Sequence, residues 1–159
     1  MQLDHNQLIQ GLIELKWMSK EAVPLLSTKM YEHEISVVGK LRAHGLTAEA
    51  VFEAAIYANR AALTQIPVVD LKLINPMTGF DCTTFATKEE MTAQYVVPLM
   101  VLGERLIVAT ADPFNNKFFD TLTLRSPQKI DYWLADSDEI ISMISRLNQS
   151  VKGTLVADT

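Results

Sequence analysis

Apolar positions recur at helical spacing from Leu8 to Leu63, and the period then changes. Leu8, Ile9, Leu12, Ile13 and Trp17 fall on one helical face. Ser19 is placed to cap a second helix, with Glu21 near the positive end of its dipole and Val23, Leu26 and Met30 inward. Pro24 is tolerated there because it lies in the first turns. Ile35, Val38 and Leu41 mark a third helix that stops near Gly45. Thr47 caps a fourth, with Val51, Phe52, Ala55, Ile56, Asn59 and Leu63 along its stripe. A shift of 29 residues matches Leu12 with Leu41, Trp17 with Leu46, Val23 with Phe52 and Leu26 with Ala55. The match is one of apolar character, and it predicts two similar helical hairpins packed on each other.

Beyond Ile66-Pro67 the chain reads differently. Val68-Val69-Asp70-Leu71 is extended in character, and a looser stretch follows through Asn75-Pro76 and Thr78-Gly79. Thr87-Lys88-Glu89-Glu90 has the spacing of a capping box and opens a short helix to about Gln94. Val96–Leu102 and Arg105–Ala111 read as two strands, and Gly103 suits the first central position of a type II′ turn between them. Asp112-Pro113 has the signature of a helix start, with Phe114, Phe118, Phe119 and Leu122 inward and an end before Pro127. Lys129–Ala135 alternates as a strand, placing Ile130, Tyr132 and Leu134 on one side. Asp136-Ser137 then caps a last helix carrying Ile140, Ile141, Ile144, Leu147 and Val151. The expected class is α+β: a helical subdomain over 1–66, a ββαβα subdomain over 67–151, and a linker or terminal tail over 152–159.

Charge narrows the partners. The formal net charge is −5, which argues against a domain whose main task is to grip nucleic acid or an anionic membrane. Residues 1–66 hold seven acids and six bases, against twelve and eight in the remainder, so the acidity lies behind the helical part. No run approaches the ~20 apolar residues of a membrane span. The N-terminus lacks the basic flank and apolar run of a signal peptide. Cys82 is the only cysteine, so an internal disulfide or a thiolate metal cage is excluded, as suits a reducing cytosol.

Catalytic patterns are missing. Gly39-Lys40-Leu41 lacks the first glycine and the hydroxyl of a phosphate-binding loop. His5, His33 and His44 have no metal-ligand spacing. Asp112, Asp120, Asp131, Asp136, Asp138 and Glu139 read as helix caps and solvated acids rather than a catalytic pair. Trp17 and Trp133 read as packing or interface residues. The chain is expected not to be an enzyme.

Two segments carry a resemblance. Phe85-Ala86-Thr87 with Gln94-Tyr95-Val96-Val97-Pro98-Leu99 is one, and Gly103-Glu104-Arg105-Leu106-Ile107-Val108-Ala109-Thr110-Ala111-Asp112-Pro113 is the other. With Ile66-Pro67-Val68-Val69-Asp70-Leu71 upstream, they resemble the N-terminal domain of the type IV pilus assembly and type II secretion ATPases. The resemblance runs from about Leu8 to Leu147. It implies a cytoplasmic domain ahead of a hexameric motor, so that ATP and Mg belong to a motor domain after this chain. It further implies docking on an inner-membrane platform protein, with no nucleic acid and no span of its own.

Some members of that family bind cyclic di-GMP through tandem repeats that begin "RLG". Here Gln7-Leu8-Ile9 and Ser36-Val37-Val38 stand for RLG, Lys16 replaces a later glycine that Gly45 keeps, and Met30 and Asn59 replace the closing glutamines. The arginine is missing from both repeats, so a retained fold with a lost nucleotide site is expected. Lys16, Arg42, Gly45 and Asn59 are the candidate ligand positions of this degenerate pattern. No cofactor is expected in the chain itself.

Overall fold

The computed structural model describes residues 6–22, 36–62, 66–77 and 79–157. Helix α1 spans Asn6–Glu14, α2 Val37–Ala43 and α3 Ala48–Ala61. After two 3₁₀ turns at Leu71–Leu73 and Cys82–Thr84 comes α4, Lys88–Gln94. Strands β1 (Val96–Leu102) and β2 (Arg105–Thr110) lead into α5 (Asn116–Arg125), β3 (Lys129–Leu134) and α6 (Ser137–Ala157). The expected α+β class and the ββαβα order both hold. The expected second helix, with Val23, Leu26 and Met30, lies outside the described residues, as do Ile35 and Leu63.

The sheet has the order β1-β2-β3, antiparallel between β1 and β2 and parallel between β2 and β3. Leu106 to Thr110 are all buried, as befits a central strand covered on both faces. Pro98 is accommodated because β1 is an edge strand whose register shifts between Pro98 and Met100. Gly103 has φ 61°, and Glu104 is not at positive φ, which fits the type II′ turn. The Ile66–Leu71 junction extends the sheet: Leu134 N–H donates to the Pro67 carbonyl at 2.7 Å, and Val69 N–H donates to the Leu134 carbonyl at 2.9 Å.

Three local readings need correction. Asp112 does not cap a helix: its Oδ1 accepts the Phe114 N–H in a tight turn, and α5 starts only at Asn116. Thr110 holds the Asp112 backbone from both sides, which delays the helix by a turn. The inward face of α3 is also rotated. Ala50, Val51, Ala54, Ala55, Ala58 and Asn59 are buried, whereas Phe52 and Ile56 are half-buried at its margin. Finally, the backbone of α6 stays helical to Ala157, across the segment read as a linker or tail.

The rotation of α3 has a physical cause at its crossing with α1. A Cβ on Gly11 would lie 2.9 Å from the Ala54 carbonyl oxygen. The two backbones therefore come together there, and a small residue is required at Ala54. One apolar cluster runs from Leu8 and Leu12 through Leu41, Val51 and Leu71 to Leu106, Leu134 and Ile144. It crosses the 66/67 boundary without a break.

Polar fastenings fix the α/β part. Arg125 grips Glu90 with two nitrogens at 2.8 and 2.9 Å, while Glu90 also closes the capping box on Thr87. The hydrogen bonds from Arg125, then that from the Thr87 amide, depress the Glu90 carboxyl to about 2. Cys82 is buried, and burial followed by the nearby Asp81 raises its thiol.

Candidate functional site: the paired helix turns

The two repeats end their first helices in the same way. In α1, Trp17 N–H donates to the Leu12 carbonyl and Lys16 N–H to that of Ile13, at 2.9 and 3.0 Å. In α2, Leu46 N–H donates to the Leu41 carbonyl and Gly45 N–H to that of Arg42, both at 3.1 Å. This is the Schellman arrangement, which satisfies the last carbonyls by placing one residue in the left-handed region. Gly45 does so with φ 102°, and Lys16 does so with φ 63°. The residue that replaces the repeat's glycine thus adopts the backbone that glycine would have supplied. The internal repeat is real at the level of backbone.

The four candidate positions have different surroundings. Lys16 and Gly45 occupy equivalent turns, one in each repeat, and both are exposed. Arg42 reaches across to the start of α6, donating to Ser137 Oγ at 2.8 Å and Asp138 Oδ1 at 2.7 Å. Asn59 is buried. Its Nδ2 donates to the Ile66 carbonyl at 2.8 Å and its Oδ1 accepts the Ile66 N–H at 3.0 Å, which pins the chain where it leaves the helical part. Arg42 and Asn59 are therefore each engaged within the fold. None of the four lines the groove of about 590 Å³ between α2 and α4, which is bordered by Gly39, Lys88, Thr92 and Tyr95.

Two clusters escaped the sequence reading. At the junction, Glu139 Oε1 accepts the Leu71 N–H at 2.9 Å and Arg146 donates to the Leu71 carbonyl at 3.3 Å. Burial, and then hydrogen bonding with Asp70, raises the Glu139 carboxyl above its ordinary range. At the first turn, Trp17 points outward and its Nε1 donates to Glu53 Oε2 at 2.9 Å. Neither cluster has a spacing signal, because the partners lie 68 and 36 positions apart. Among the described residues no group of His, Cys, Asp and Glu could hold a metal ion. No helix of the described residues is long and apolar enough to cross a membrane.

The chain thus joins a repeated helix turn to a small mixed sheet through a strand-like junction. The model of the MshEN domain family matches residues 65–154, and the chain belongs to that family. This bears out the resemblance to the N-terminal domain of type IV pilus assembly and type II secretion ATPases. The fold is that of the N-terminal domain of XpsE, which superposes in two crystal forms. One has a TM-score of 0.59 at 15% identity over 92% of this chain and 97% of that chain. The other has 0.61 at 18% identity over 89% and 94%. A structure of MshE with cdg superposes with a TM-score of 0.57 at 14% identity, over 88% of this chain and 97% of that one. No curated protein matches at the level of sequence. The family match starts at Gln65, so for the helical repeats these superpositions show a shared fold and nothing more.

Proposed function

We propose that this chain is the non-catalytic docking and regulatory domain of a type IV pilus assembly or type II secretion ATPase. It binds an inner-membrane platform protein from the cytoplasmic side, in a full-length protein that assembles as a homo-hexamer. ATP and Mg belong to the motor domain. The observation that carries this reading is the internal use of Arg42 and Asn59. The groups best suited to a nucleotide tie the helical part to α6 and to the junction instead. Calorimetry with the cytoplasmic domain of the platform protein tests it: saturable binding is expected, and no heat from either a pilus or a secretion platform would overturn it.

A second reading is cyclic di-GMP sensing at Lys16, Arg42, Gly45 and Asn59, favoured by the likeness to MshE solved with cdg. A phosphate at Arg42 would compete with Asp138 for the guanidinium charge. Binding should then be tighter in Asp138→Ala than in the parent chain. Titration heats equal to those of buffer for both proteins would remove this reading.

A further inference from the structure

The first repeat presents an outward face that the second does not. Leu46, which ends the turn after α2, packs against the core, whereas its counterpart Trp17 is 40% exposed. Trp17 is nonetheless held in place. Its backbone N–H is fixed by the turn, and its indole N–H by Glu53. Glu53 belongs to a stripe along α3 formed by Glu49, Glu53 and Tyr57, which stand one turn apart on the solvent side. Tyr57 is 43% exposed, and Leu15, beside the turn, is 38% exposed.

The chemistry of this face is specific. An exposed indole beside a carboxylate, with a phenol one turn further along, suits a guanidinium. The ring face attracts the cation, and the carboxylate accepts its N–H groups. Glu53 spends Oε2 on Trp17, and among the described residues no hydrogen bond to its other oxygen is seen. Glu49 adds a second negative charge at the same end of the stripe. Among the described residues the bases closest along the chain are Lys16, which flanks Trp17 in the turn, Lys20 three residues after Trp17, and Arg60 at the far end of α3. Along the exposed stripe of α3 itself, the charges beside Tyr57 are the two acids Glu49 and Glu53, and Glu53 is the one that meets Trp17.

The geometry points to Trp17, Glu53 and Tyr57 as a docking surface for an arginine-bearing amphipathic segment of a partner protein. The arginine stacks on Trp17 and bonds Glu53, while the apolar side of the segment lies on Leu15 and Tyr57. Charge complementarity selects this occupant: the aromatic residues are ready-made anchors, and the adjoining carboxylates favour a basic partner. This rests on the docking reading above for the identity of the partner, but not for the chemistry of the surface.

Two measurements separate the surface from that reading. Trp133→Phe leaves Trp17 as the sole indole, so its fluorescence reports directly on the face. An amphipathic helical peptide of Leu, Ala and Arg should perturb that emission saturably and bind more tightly than its Lys counterpart. Glu53→Gln should weaken the Arg peptide by about tenfold or more and abolish the Arg preference. Equal binding of both peptides, or no effect of Glu53→Gln, overturns the surface. With the platform domain as probe, Trp17→Ala and Tyr57→Ala should each weaken binding by about tenfold or more. Undiminished binding by both variants overturns the surface while keeping the docking reading. Absence of binding to the parent chain overturns the docking reading, and the peptide result then decides the surface alone. Both side chains are exposed, so unchanged thermal unfolding is expected to certify the variants.

Discussion

The two helical repeats share a backbone and differ in nearly every side chain that could do something with it. Both end in the same hydrogen-bonded turn, with the left-handed position taken by Lys16 in one and Gly45 in the other. Beyond that position the first repeat turns Trp17 outward to Glu53, and the second turns Leu46 inward. The first packs backbone to backbone through Gly11, where the second has the half-buried Lys40. The second sends Arg42 to the α/β part, where the first has Ile13. Shared turn geometry therefore says that the repeat survives as architecture. The side chains say that its halves differ: one is anchored to the sheet subdomain, and the other carries the exposed face proposed above for docking.

The largest expected effect lies at the helix crossing. Gly11→Val should destabilise the chain by about 1–3 kcal/mol, because the new atoms meet the Ala54 backbone and not a movable side chain. Chemical denaturation reads this directly. A loss within ~0.5 kcal/mol, the range of a surface change, would mean that α1 is not held against α3 as described.

Next comes an exchange at the equivalent turns. Nothing lies within 4 Å of a Cβ built on Gly45, so Gly45→Ala tests the backbone alone and should cost ~1 kcal/mol. Lys16→Gly should move stability the other way, by ~0.5–1 kcal/mol, since relief of the left-handed lysine is partly offset by greater freedom in the unfolded chain. Opposite signs for the two substitutions in thermal unfolding would show that the repeats demand the same conformation.

The smallest effect is expected at the anchor. Arg42→Ala removes an ion pair whose Asp138 side is 65% exposed, so the loss should be at most ~1 kcal/mol and should shrink as salt is raised. A loss insensitive to salt would assign the anchoring to Ser137 rather than to charge.

Much of this architecture was legible in the chain. Most elements of the α/β part are legible one by one, because their starts have a local chemical reason. The Thr87 box, the Gly103 turn and the Asp136 cap are interactions between residues a few positions apart. Asp112 was misread because the same residue pair that starts a helix can also close a tight turn. Here buried Thr110 tipped the balance, through bonds to the Asp112 backbone. The stripe of α3 was misread for a different reason. Periodicity favours the bulkier Phe52 and Ile56, but a glycine on the facing helix selects the alanines.

Local chemistry along the chain suffices for the ββαβα order, the change of period at Ile66-Pro67 and the positions of the two turns, since these follow from short-range hydrogen bonding and apolar spacing. The tertiary structure alone decided what the candidate residues touch. Arg42 meets Asp138 across 96 positions, and Asn59 bonds the backbone of Ile66 instead of facing solvent. Trp17, read as part of an inward face, stands outside beside Glu53 because the turn at Lys16 carries the chain off the helix axis first. Such pairings depend on how helices cross, and crossing is set by the summed packing of the core, which no local spacing records.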